Sequence, residues 1–208
     1  GTATITYYIE GNNTPVTCSV PLAANSRTTV VVHNETSTTE PCGLGRGKAH
    51  ATKVETTVAT VVERPIYFLY QGASIRGIDG GHNVMGATSL IGPGQSVVLA
   101  EGYTGSGFEQ YLTFQNPNSA NVSVTITYLK ADGSAPVSKS LTIPANQRKT
   151  VAVHNGSDPA GLGTGQEFST KISVPSGAAG GILAERVMYF RYAGSATGGS
   201  SAFGVPES

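Results

Sequence analysis

The stretch Glu63-Arg64-Pro65-Ile66-Tyr67-Phe68-Leu69-Tyr70-Gln71-Gly72 returns nearly unchanged as Glu185-Arg186-Val187-Met188-Tyr189-Phe190-Arg191-Tyr192-Ala193-Gly194. A segment that recurs within one chain reports a repeated structural unit. Read as a strand, its side chains alternate between two faces. One face carries Arg64, Ile66, Phe68 and Tyr70, matched by Arg186, Met188, Phe190 and Tyr192. The other carries Glu63, Pro65, Tyr67 and Leu69, matched by Glu185, Val187, Tyr189 and Arg191. Leu69 is replaced by Arg191, so that end of the second face is expected to meet solvent. Ile66/Met188 and Phe68/Phe190 keep bulk and apolarity, which makes these four the expected core positions of the repeat.

Working outward, the whole chain repeats. Residues 124–129 retrace residues 4–9, 137–143 retrace 16–22, and 149–154 retrace 28–33. Ala145-Asn146-Gln147 follows Ala24-Asn25-Ser26, and residues 161–165 follow 43–47. His33 and His154 set a period of 121 residues. Alternating β-branched runs are expected as strands over residues 2–9, 16–22, 27–33, 52–58, 61–70, 95–100, 109–115 and 122–129. Residues 34–48 and the Gly-rich residues 72–88 are expected to be irregular. Short strands with turn signals between them, and no sustained helical period, predict an all-β chain. Its expected architecture is two tandem immunoglobulin-like antiparallel β-sandwiches.

The phase of the repeat matters. Residues 90–208 hold a full set of strands. Residues 1–89 lack counterparts of the two strands within residues 90–123. The first unit is therefore expected to be a sandwich missing its first two strands. Such a unit exposes sheet edges that aggregate or capture another strand. Three explanations compete: a piece of a longer tandem array, a smaller sandwich, or a strand taken from a neighbouring molecule. The shared phase of both ends favours an array or polymer, and Gly1 in place of Met reads as a processed chain or a fragment.

The 208 residues include 13 Lys+Arg and 13 Asp+Glu, for a formal net charge of zero, and no Trp. A neutral chain lacks the basic surface that nucleic acid or anionic membranes select. No apolar run approaches the length of a membrane span, and membrane insertion is not expected. Cys18 aligns with Lys139, and Cys42 falls near Ala160. Joint absence of both cysteines from the second copy is what a Cys18–Cys42 disulfide would produce. Such a bridge points to an oxidising compartment.

The strings Ala100-Glu101-Gly102-Tyr103-Thr104, Phe108-Glu109-Gln110-Tyr111-Leu112-Thr113-Phe114-Gln115-Asn116-Pro117 and Val124-Thr125-Ile126-Thr127-Tyr128-Leu129 carry a resemblance. So do Ile143-Pro144-Ala145-Asn146, Ala184-Glu185-Arg186 and Gly80-Gly81-His82-Asn83-Val84-Met85-Gly86. Together the chain resembles an uncharacterised tandem immunoglobulin-like repeat of large secreted and cell-surface bacterial proteins. The resemblance implies an extracellular β module. It carries no catalytic residues. The second copy departs from the pattern at Gly198-Gly199-Ser200-Ser201.

No constellation reads as an active site. Glu63 and Glu185 are equivalents in two units, whereas paired catalytic carboxylates share one site. His33, His50, His82 and His154 show no ligand spacing, His33 and His154 read as strand-closing turn residues, and Asp79 with Asn83 offers too few carboxylates for calcium. Residues 43–48 fail as a phosphate loop because Lys48 precedes Ala49. No cofactor, metal or catalytic residue is therefore expected. Asn12, Asn34, Asn121 and Asn155 head Asn-x-Ser/Thr acceptor sites for glycosylation. Tyr67 and Tyr189 are candidates for stacking on sugars. The expected function is a non-enzymatic extracellular structural repeat of a surface stalk, fibre or filament. Its expected partners are copies of itself or adjacent repeats, with glycans as a further candidate. The alternatives are an adhesin or carbohydrate binder using residues 34–48 and 72–88, or an accessory region of a secreted enzyme.

Overall fold

The computed structural model describes residues 1–207. Its strands are β1 (Thr2–Ile9), β2 (Val16–Pro21), β3 (His50–Thr56), β4 (Glu63–Gln71), β5 (Arg76–Met85), β6 (Ser96–Tyr103) and β7 (Phe108–Asn116). They continue as β8 (Val122–Lys130), β9 (Val137–Ile143), β10 (Gln147–Ala152), β11 (Glu167–Ser173), β12 (Leu183–Tyr192), β13 (Ala196–Phe203) and β14 (Val205–Pro206). Every pairing is antiparallel, and there is no helix among the described residues.

From residue 90 onward two sheets face each other, ordered β14-β6-β11-β8-β9 and β10-β7-β12-β13. Alternation places Leu112, Phe114, Ile126, Tyr128, Val151 and Ile172 between them, each at most 1% exposed. Tyr128 donates its hydroxyl to the Ala160 carbonyl at 2.7 Å inside this core. Tyr128→Phe leaves that carbonyl unpaired and is expected to cost about 1–2 kcal/mol in urea unfolding.

The first repeat follows the same register where its strands exist. Ile5 pairs with Cys18 and Val54 just as Ile126 pairs with Lys139 and Ile172. Tyr7 donates to the Cys42 carbonyl at 2.8 Å and meets His50 edge-on, as Tyr128 meets Phe168. Asn25 and Asn146 both hold φ of 53°, a left-handed turn that asparagine tolerates. Cys18 and Cys42 form the disulfide, with Cα atoms 5.5 Å apart.

Two expectations about local structure are corrected. Residues 27–33 are coil, whereas the equivalent β10 is a strand. β10 exists because β7 pairs with it from Gln147 to Ala152, and the first repeat has no β7 counterpart to offer the ladder. Val30 and Val32 accordingly sit half-buried on their sheet, whereas Val151 and Val153 are fully buried. Residues 72–88 are mostly ordered, because β5 pairs along the whole of β4. Its glycines interrupt the side-chain alternation that marks a strand. Gly80 lies opposite Phe68, and Gly198 lies opposite Phe190. A Cβ on either would come within 3.1 Å of the facing ring at Gly80 and 2.9 Å at Gly198, so these strand glycines make room for an aromatic.

The first repeat's sheets are β2-β1-β3 and β4-β5. They do not close over each other. The face of β4 that carries Arg64, Ile66, Phe68 and Tyr70 instead lies on the outer face of β12 and β7 in the second repeat. Phe68 meets the Tyr189 ring edge-on at 5.0 Å, and Tyr70 stacks on it at 3.9 Å. All four expected core positions lie outside both hydrophobic cores: Ile66 and Phe68 are half-buried between repeats, while Met188 is buried and Phe190 half-buried on the face of β12 turned toward its own sandwich.

Candidate functional site: a buried polar seam between the repeats

The pleat of β7 and β12 puts Glu109, Tyr111, Glu185 and Tyr189 on one face, since Glu109 pairs with Tyr189 and Tyr111 with Val187. Covering that face with the β4–β5 hairpin takes charged groups out of water, and buried charges need partners. Glu109 is fully buried and has them. The Tyr70 hydroxyl and the Ser74 amide donate to it, as do the Ser74 hydroxyl at 2.7 Å and the Ile75 amide at 3.2 Å. Burial by itself would raise its pKa. The hydrogen bonds from Tyr70, Ser74 and Ile75 outweigh burial and bring it down to about 2. Burial, reinforced by the bond to Glu109, holds the Tyr70 hydroxyl well above its ordinary range.

His154 closes the group. Its Nδ1 lies 3.0 Å from the Gln110 carbonyl, which can only accept, so Nδ1 donates there. Its Nε2 is left 3.7 Å from Glu109. Two further links flank the cluster. Arg64 pairs with Glu185. Glu10 takes Arg148 Nη1 at 2.8 Å and the Thr150 amide at 3.0 Å, and the Gly11 amide donates to Gln147 Oε1 at 3.1 Å. Glu10 and Gly11 close β1, so this last link ties the β2-β1-β3 sheet to β10.

A carboxylate, a histidine, two tyrosines and a serine in contact form an acid–base set in composition. The geometry makes it a latch. The Glu109 oxygens are already occupied by donors from Tyr70, Ser74 and Ile75, all on the hairpin segment.

The expected site residues fall as follows. Asn12, Asn34, Asn121 and Asn155 are all exposed, in turns or loops. Glu63 is exposed on β4, while its equivalent Glu185 is in the seam. His33 is exposed, and its equivalent His154 is in the seam, because only the second repeat has β7 beneath it. Tyr67 is 87% exposed and Tyr189 is half-covered by the hairpin. His82 lies against Phe68 at 5.9 Å. Among the described residues no three His, Cys, Asp or Glu side chains gather as a metal-holding group. Glu109 does not stand out in the sequence because it has no counterpart in the first repeat. The one signal was a charge alternating with aromatics on a strand in a chain with only 12% charged residues.

No family model matches the chain, and no curated protein matches it. Two solved structures are similar to part of it. The crystal structure of Thermotoga maritima 1070 is 13% identical, with a TM-score of 0.45, over 54% of this chain and 94% of that one. Anabaena sensory rhodopsin transducer is 25% identical, with a TM-score of 0.37, over 47% of this chain and 86% of that one. Both likenesses cover about half of this chain, and neither bears on its function.

Proposed function

We propose that this chain is a non-enzymatic structural repeat protein of an extracellular stalk, fibre or filament, built from immunoglobulin-like units at residues 1–89 and 90–208. One observation carries the reading. The β3 and β4 edges of the first repeat have no partner among the described residues, whereas their equivalents β11 and β12 pair with β6 and β7. Unpaired edges of this kind are templates for another strand, and strand donation between subunits is the assembly this reading favours. Within the chain a hairpin laid on the next sheet, with a polar seam beneath it, is the kind of joint this reading expects between units. The disulfide supports an oxidising compartment, and the four exposed acceptor asparagines suit glycosylation on such a surface. The adhesin alternative uses residues 34–48 and 72–88, and most of the second segment is tied up as β5.

Electron microscopy and light scattering of the purified chain over a wide concentration range are the direct test. Concentration-dependent oligomers or fibres are the expected outcome. Dispersed monomers throughout would count decisively against the reading.

A further inference from the structure

One end of the second sandwich is open. A cleft of about 730 Å³ lies there, lined by Tyr103, Phe108, Leu129 and Tyr192, with Glu101 and Glu167 among its polar groups. Tyr192 is 63% exposed and Leu129 41%. In the first repeat the equivalent end is the one that joins the second repeat. There Glu10 and Gly11 hold Arg148, Thr150 and Gln147. Tyr70, the equivalent of Tyr192, bonds Glu109 and stacks on Tyr189.

The charge needed for the same junction is present in the second repeat, moved across one backbone hydrogen bond. In the first repeat the Glu10 amide donates to the Ala49 carbonyl at 2.9 Å. In the second the Ala131 amide donates to the Glu167 carbonyl at 2.9 Å. The acid and the alanine have exchanged places, so a carboxylate remains at the same corner of the sandwich. Four of the receiving groups are also duplicated, although Glu109 and Tyr111 are not, because the first repeat has no counterpart of β7. Arg148 and Thr150 correspond to Arg27 and Thr29, and Glu185 and Tyr189 correspond to Glu63 and Tyr67. All four first-repeat residues are exposed.

We propose that the open end of the second repeat binds the first repeat of a second copy of this chain, repeating head to tail the Glu10–Arg148 and Tyr70–Tyr189 contacts that join the repeats within one chain. Glu167 receives Arg27, and Tyr192 packs against Tyr67. Donor and receiver are different surfaces, so the contact is heterologous and growth is open-ended. This rests on the structural-array reading above and names its surfaces.

Sedimentation velocity over a concentration series tests it. Arg27→Glu and Tyr67→Ala disable the receiving end, while Glu167→Arg and Tyr192→Ala disable the donating end. All four positions are exposed or half-exposed, and unchanged thermal melts would show that the variants fold. Each variant alone is expected to weaken self-association at least tenfold. A mixture of Arg27→Glu chains with Tyr192→Ala chains should stop at a dimer, since each retains one working end. The Arg27→Glu/Glu167→Arg double variant should recover assembly. If the wild type assembles and all four single variants assemble equally well, this junction is wrong while the array reading stands. If the wild type does not assemble, both fall.

Discussion

Glu109→Ala is expected to release the β4–β5 hairpin from the second repeat while leaving the sandwich beneath it folded. The carboxylate collects the Tyr70 hydroxyl, both Ser74 donors and the Ile75 amide, and its removal leaves those donors buried without an acceptor. Each orphaned buried donor costs about 1–3 kcal/mol. The hairpin can escape the full sum by lifting into water, so the loss saturates at the energy with which it docks. Glu109 lies on the outer face of its sheet, away from Leu112 and Phe114, which is why the second core should survive. Hydrogen exchange reads both outcomes: amides of β4 and β5 should exchange faster, and those of β8 and β11 should not. Acid should act likewise. The folded pKa of Glu109 lies below its ordinary 4.5, at about 2, so its contribution is complete above pH 4.5. It is lost as pH falls toward 2, and a shift of that size corresponds to about 3 kcal/mol. Glu109→Gln should flatten this dependence. Hairpin protection that is unchanged between pH 5 and pH 2.5 in the wild type would rule out the latch.

Removing the Cys18–Cys42 disulfide, by reduction or by Cys18→Ser with Cys42→Ser, is expected to destabilise the first repeat selectively. A bridge spanning 24 residues restricts the unfolded chain by about 3 kcal/mol in the loop-entropy account. The effect should be large here because of what the loop lacks. In the second repeat the equivalent segment is held by the β10–β7 ladder, with Lys139 and Ala160 where the cysteines stand. In the first repeat residues 27–33 have no ladder, and the small core of Ile5, Tyr7, Val20, Cys42 and Leu44 depends on the loop staying over the sheet. Thermal melts with and without reductant should show an early transition moving down while the later one, from the second repeat, stays in place. A single transition that moves as a whole would show that the repeats unfold together and that the bridge has no local role.

Much of this fold was legible because repetition makes each copy a control on the other. Joint loss of Cys18 and Cys42 pointed to a bond, and the bond is there. The Asn25 and Asn146 turns followed from residue type alone. The alternation in the opening stretch identified which face of β4 would be covered. The Gly-rich segment after it hid a strand, since Gly80 and Gly81 break the pattern of side chains while leaving the backbone free to pair with Phe68 and Tyr67. The seam was not legible. Glu109 and Glu185 become buried only when Arg64, Tyr70 and Ser74 arrive from another part of the chain.

The sequence by itself determined the repeat, its phase, the all-β character, the disulfide and the faces of most strands, all of which are written in local alternation and in residue-by-residue comparison of the copies. Only the tertiary structure decided what those faces meet. Arg27-Thr28-Thr29-Val30-Val31-Val32-His33 and Arg148-Lys149-Thr150-Val151-Ala152-Val153-His154 have nearly the same propensity, yet only the second forms a strand, because β7 supplies hydrogen-bonding partners there. Likewise Phe68 and Phe190 sit in equivalent strands, but Phe190 faces its own sandwich and Phe68 faces its neighbour's. A strand's backbone and its apolar face must each be satisfied by something outside the strand, and which neighbour does so is a property of the whole chain.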